Sequence, residues 1–130
     1  MKRVTGIGGV FFKSEEPKKL REWYGKHLGF DIAEWGSMFQ WIDPNDPHAK
    51  EPAHTVWSPF EKDTTYFQPS TKPYMFNYRV ENLDELLKLL REEGVTVMDK
   101  TEELPYGKFG WIMDPEGNKI ELWEPVGNDQ

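Results

Sequence analysis

The sequence predicts an α+β fold in which two β-α-β-β-β units pair into one curved sheet, with helices outside and a concave face inside. Three observations predict it. HTVWSP at 54–59 is echoed by IELWEP at 120–125, an offset of 66 residues. Gly9-Val10-Phe11-Phe12 aligns with Met75-Phe76-Asn77-Tyr78 at the same offset. Between them WIDP at 41–44 is echoed by WIMDP at 111–115 with one residue inserted. Ordered matches with equal outer offsets indicate a duplicated unit. Neither half can bury both faces of its own sheet, so the two are expected to pack together.

Each element has a local reason. Residues 4–12, VTGIGGVFF, read as a strand whose Gly8 and Gly9 mark a bulge or a close approach to the backbone. Pro17 opens a helix to Leu28; Leu20, Trp23, Tyr24 and Leu28 share one face, and Gly29 caps its end. Residues 30–35 and 38–43 are expected as strands around a Gly36-Ser37 hairpin, followed by a polar loop from Pro44 to Pro52. His54 to Ser58 is a fourth strand, ended by Pro59, and 60–73 is a mostly polar connector.

The pattern then restarts with YMFNYRV at 74–80. Asn82 with Glu85 three residues on resembles a capping box, and Leu83, Leu86, Leu87 and Leu90 form the apolar stripe of a helix ending at Gly94. Strands follow at about 95–98, 108–113 and 119–123. Asp114-Pro115-Glu116-Gly117-Asn118 supplies the turn between the last two. The organisation is one domain over 1–130, with a first module at 4–59, the connector at 60–73 and a second module at 74–125.

Composition excludes several functions. A net charge of −7 argues against nucleic acid or an anionic membrane as partner. The absence of Cys excludes disulfides, thiolate catalysis and Cys-ligated metal. No apolar run has spanning length, and MKRVTGIGG does not read as a signal peptide, so a cytoplasmic protein is expected. Aromatic residues make up 15% of the chain, which favours sheets and large apolar walls.

LREWYGKHLGF at 20–30 and DPEGNKIELWEP at 114–125 resemble the vicinal oxygen chelate superfamily, which includes glyoxalase I, bleomycin-resistance proteins and extradiol dioxygenases. The resemblance implies paired βαβββ modules, a U-shaped cleft and often a homodimer. Metal-dependent members place four ligands in the first and last strands of the modules. Those positions fall here on Gly9, Thr55, Met75 and Glu121, and only the last is a usual metal ligand. One carboxylate holds a divalent ion poorly, and the two-His-one-carboxylate set is absent from these positions.

Glu121 is therefore the central candidate. A charge inside an apolar strand is costly unless it meets solvent, a partner or a cavity. It is read as a ligand contact, as a catalytic base, or as a structural partner of Arg79 or Lys119. Met75, Asn77 and Arg79 follow at period two and should share its side. Trp57 and Trp123, repeat-related, are expected beside Thr55 and Glu121, where they could stack a flat ligand. The sides of Trp41 and Trp111 stay open. His54 could complete a metal site with Glu121 only through a bulge; His27 and His48 converge with nothing obvious.

The expected function is a glyoxalase/bleomycin-resistance-like protein that binds a small, partly aromatic molecule in the cleft, with no metal cofactor and, as the resemblance implies, as a homodimer. The alternatives are a lyase or isomerase using Glu121 as base or, with His54, as ligand to a divalent metal, and a non-catalytic interaction module with a vestigial cleft.

Overall fold

In the computed structural model the described residues are 2–44, 46 and 52–126. His48 and most of the expected 44–52 loop lie outside them. The elements run β1 (Val4–Ser14), α1 (Pro17–Leu28), β2 (Ser37–Trp41), β3 (Ala53–Glu61), β4 (Tyr74–Val80), α2 (Leu83–Glu92), β5 (Thr96–Leu104), β6 (Gly107–Met113) and β7 (Lys119–Pro125). The strands form one mixed sheet in the order β2-β3-β1-β4-β7-β6-β5. β1 and β4 pair antiparallel at its centre and join the halves. Each half then adds a parallel neighbour, β3 on β1 and β7 on β4.

The turn after β6 forms as its residues dictate. Asp114 Oδ1 accepts from the backbone N–H groups of Glu116 and Asn118, both at 2.9 Å, while Gly117 takes φ 81°. Those bonds favour the charged carboxylate and hold Asp114 below its ordinary pKa, the Asn118 side chain contributing most. The hairpin sets Met113 opposite Lys119 and Trp111 opposite Glu121. Across the sheet, Asn82 caps α2 by accepting from the Glu85 N–H at 3.1 Å.

Period two along β7 divides its side chains between two cores. Leu122 joins Val80, Leu83, Leu86 and Leu87 under α2. Trp123 joins Phe11, Phe67, Met75, Phe109 and Trp111 on the opposite, concave side.

Several expectations change. Residues 30–35 form no strand, only a bridge between Ala33 and Gly36. Phe30 instead packs its ring edge-on against Tyr24, Phe39 and Trp57, so the segment is held by aromatic contacts. Trp23 and Leu28, expected on the apolar face of α1, are 51% and 58% exposed. β5 extends to Leu104 because DKTEEL lies on the sheet edge, where polar side chains meet water.

The repeat offset is not kept by the sheet register. Val10 pairs with Trp57, whereas its counterpart Phe76 pairs with Ile120, three residues before Trp123. An odd shift reverses the face. Trp57 accordingly packs on Tyr24 of α1, with ring centroids 4.5 Å apart, and is not a cleft residue.

Candidate functional site

The concave side is organised around the Glu121 carboxylate. β7 delivers it beside Asn77 of β4 and opposite Trp111 of β6. Asn77 Nδ2 donates to Oε2 at 2.6 Å, and Trp111 Nε1 donates to Oε1 at 3.0 Å. The third donor is the Tyr66 hydroxyl, also on Oε1. Tyr66 comes from the connector that the sequence leaves as a polar link. Glu121 itself is only 3% exposed.

The connector folds into the cleft. Phe67 is 1% exposed within the concave core. Tyr66 lies at the surface of that core, stacked on Phe60 at 5.7 Å and edge-on to Trp111 at 6.3 Å. Lys119 Nζ donates to the Tyr66 carbonyl at 2.7 Å and sits 5.3 Å from the Tyr66 ring and 5.6 Å from the Trp111 ring.

Three neutral donors hold the carboxylate. Burial nevertheless raises its pKa, against the opposing pull of Tyr66, Asn77, Trp111 and the Lys119 charge. The Tyr66 phenol is pushed far above its ordinary value, by burial first and then by Glu121, so it remains a hydrogen-bond donor. Burial lowers Lys119, with the Glu121 charge opposing.

The sign for stability follows from linkage. A folded pKa above the ordinary 4.5 means that the folded state binds the Glu121 proton more tightly than the unfolded chain. This contribution is full below the unfolded value and is lost as pH rises through the folded value. Unfolding free energies of wild type and Glu121→Gln, compared from about pH 4 upward, should therefore diverge in that sense. Parallel curves would contradict it.

Of the residues expected at the site, Asn77 and Glu121 bond directly, and Met75 and Trp123 wall the same core. Arg79 makes no ion pair with Glu121 among the described residues. Its guanidinium lies 5.2 Å from the Trp123 ring and 5.8 Å from the Trp41 ring. The Thr55 hydroxyl does not join Glu121; it donates to the Ile7 carbonyl at 2.6 Å and accepts from Trp41 Nε1 at 2.8 Å. It thus steadies Trp41 beside Arg79.

Gly8 makes this packing possible. A Cβ there would lie 2.1 Å from Asn77 Oδ1 and 3.0 Å from the Trp123 ring. Gly8→Ala is expected to cost about 2 kcal/mol through overpacking, measured by urea unfolding. An unchanged midpoint would show that Asn77 can move aside.

The donor set does not fit a metal centre. Among the described residues no three His, Cys, Asp or Glu side chains cluster. The His54 ring meets the Gln40 amide at 3.3 Å instead of turning to Glu121. Both Glu121 oxygens already accept hydrogen bonds.

The Trp111 position was available from the sequence: pairing back from the 114–118 turn puts it opposite Glu121. Tyr66 and Phe67 carried only a weak signal, two adjacent aromatics within a polar stretch.

Comparison with known proteins fits this architecture. The chain resembles methylmalonyl-CoA epimerase from Mycobacterium tuberculosis, with TM-score 0.61 and 19% identity over 97% of this chain and 91% of that one. A Streptomyces coelicolor methylmalonyl-CoA epimerase variant in complex with 2-nitronate-propionyl-CoA gives 0.69 and 14%, covering 98% and 99%. A glyoxalase/bleomycin resistance protein/dioxygenase superfamily member from Vibrio splendidus 12B01 gives 0.56 and 11%, covering 91% and 97%. At these identities the likeness shows the fold alone. No curated protein matches in sequence. A family model matches residues 10–122, and with the paired-module sheet it establishes that the chain belongs to the glyoxalase/bleomycin resistance protein/dioxygenase superfamily.

Proposed function

We propose that this protein binds a small, partly aromatic molecule in the cleft over Glu121, without a metal ion. The observation that carries the reading is the seat of Tyr66. A phenol from the chain itself lies against Phe60 and Trp111 with its hydroxyl on a buried carboxylate. A ligand with an aromatic ring and a hydroxyl or amine presents the same groups and can displace the Tyr66 hydroxyl from that carboxylate. Tyr66 is 38% exposed, so its ring is within reach of solvent. Asn77 and Trp111 stay on rigid strands and keep the carboxylate aimed.

A second reading makes Glu121 the base of a lyase or isomerase, and its raised carboxyl pKa favours this. Its two oxygens are committed to three donors, so such a substrate too must first displace Tyr66.

A thermal-shift screen of phenols, aromatic amines and non-aromatic alcohols tests the proposal. Phenols or aromatic amines should raise the wild-type midpoint with concentration, as binding to the folded state requires. Glu121→Gln should lose the response. No shift for any aromatic donor would overturn the reading and leave an interaction module with a closed cleft. The exposed Trp35, Met38, Phe39 and Ile42 on and beside edge strand β2 support a homodimer as the assembly. Light scattering should then give twice 15.3 kDa, and a monomer mass would dismiss it.

A further inference from the structure

We infer that Arg79 is an anion-recognising position at the far end of the same cleft, so that the ligand class is an aromatic molecule carrying a carboxylate as well as a hydroxyl or amine. This rests on the proposed binding at Glu121 and adds the second pole of the ligand.

β4 and β7 run parallel, and their concave side chains fall in rows. Asn77 stands beside Glu121, and Arg79 stands beside Trp123. Two residues along a strand separate the rows by roughly 7 Å, about the scale of a substituted benzene ring. Lys119 and Tyr66 close the row at the Glu121 end. Arg79 marks the other end.

The guanidinium there is built in. It is flanked by the Trp41 and Trp123 rings, and Arg79 is 9% exposed as a whole residue. Trp41 is fixed by Thr55, and Trp123 by its Nε1 donating to the Tyr106 carbonyl at 3.1 Å and by stacking on Phe109. A Cβ on Gly6 would strike the Trp41 ring, and one on Gly8 would lie 3.1 Å from Arg79 Cγ, so the glycines of β1 let the stack lie close.

Aromatic faces satisfy part of the charge but none of the five N–H donors of a guanidinium. Within the described residues Arg79 has no ion pair or side-chain hydrogen bond to a carboxylate. Asp43 is the acidic group whose field reaches it, opposing the lowering effect of burial. A planar, preorganised fork of this kind is suited to a carboxylate, which it can bind through two parallel hydrogen bonds.

The test is calorimetric titration of the full chain with 4-hydroxyphenylacetate and its neutral counterpart 4-hydroxyphenylacetamide. Wild type should bind the acid about tenfold more tightly, the scale of one charge-assisted hydrogen bond. Arg79→Gln should bring the two affinities together; Arg79→Lys should retain part of the preference. Equal affinities in wild type, or a preference that survives in Arg79→Gln, would overturn the inference.

Phenylacetate, which has no hydroxyl for Glu121, separates this failure from that of the binding proposal. It should shift the Trp41 and Trp123 indole N–H resonances in wild type and not in Arg79→Gln. That shift without amide binding would remove the Glu121 reading and keep Arg79 as an anion site. Amide binding without that shift would do the reverse. Unchanged near-ultraviolet circular dichroism establishes that each variant is folded.

Discussion

Glu121→Ala is expected to lower the unfolding free energy by about 3 kcal/mol. The substitution leaves the Tyr66 hydroxyl, the Asn77 amide and the Trp111 indole N–H without their common acceptor. An unsatisfied buried donor costs about 1–3 kcal/mol. Losing the buried charge gives part of this back, because the carboxylate is itself penalised by burial. Glu121→Gln keeps an acceptor oxygen and a similar shape, so its loss should be about half as large. Urea unfolding measures both. Equal stability of wild type and Glu121→Ala would show that the three donors find other partners.

Phe67→Ala is the second large effect, with an expected loss of about 4 kcal/mol. Phe67 is buried among the aromatic side chains of the concave core, and its ring contacts Phe60 at a centroid distance of 5.2 Å. The substitution removes the anchor of the connector as well as a core side chain. Tyr66 should lose its fixed position, so ligand affinity at Glu121 should rise as stability falls. A loss under about 1 kcal/mol, within the range of surface substitutions and small repackings, would mean that the connector is not held by this ring.

Much of the site was legible because strand alternation is a local rule. It placed Met75, Asn77 and Arg79 on one side of β4, and Glu121 with Trp123 on one side of β7. The 114–118 turn chemistry was equally local. Tyr66 and Phe67 were missed for a physical reason: a connector has no period, and the partner of a loop side chain is chosen by tertiary packing. Trp57 was misplaced because the two modules match in sequence at one offset while their strands pair at registers that differ by three residues. Such a shift leaves the motif recognisable and turns the side chain to the helix side.

The glyoxalase-like fold thus carries a carboxylate held by three neutral side-chain donors. Burial keeps the Tyr66 phenol protonated, so on Glu121 it is a neutral donor that another hydroxyl or amine can replace. Gly8 and Phe67 fix the walls, while Tyr66 is the exchangeable part.

Calorimetric titration of the tightest phenol from the thermal-shift screen into wild type and Tyr66→Ala tests the central claim most directly. If the phenol of Tyr66 holds the ligand's place, the variant should bind about tenfold more tightly, because the charge-assisted hydrogen bond it competes for is free. Equal or weaker binding by Tyr66→Ala would contradict the claim.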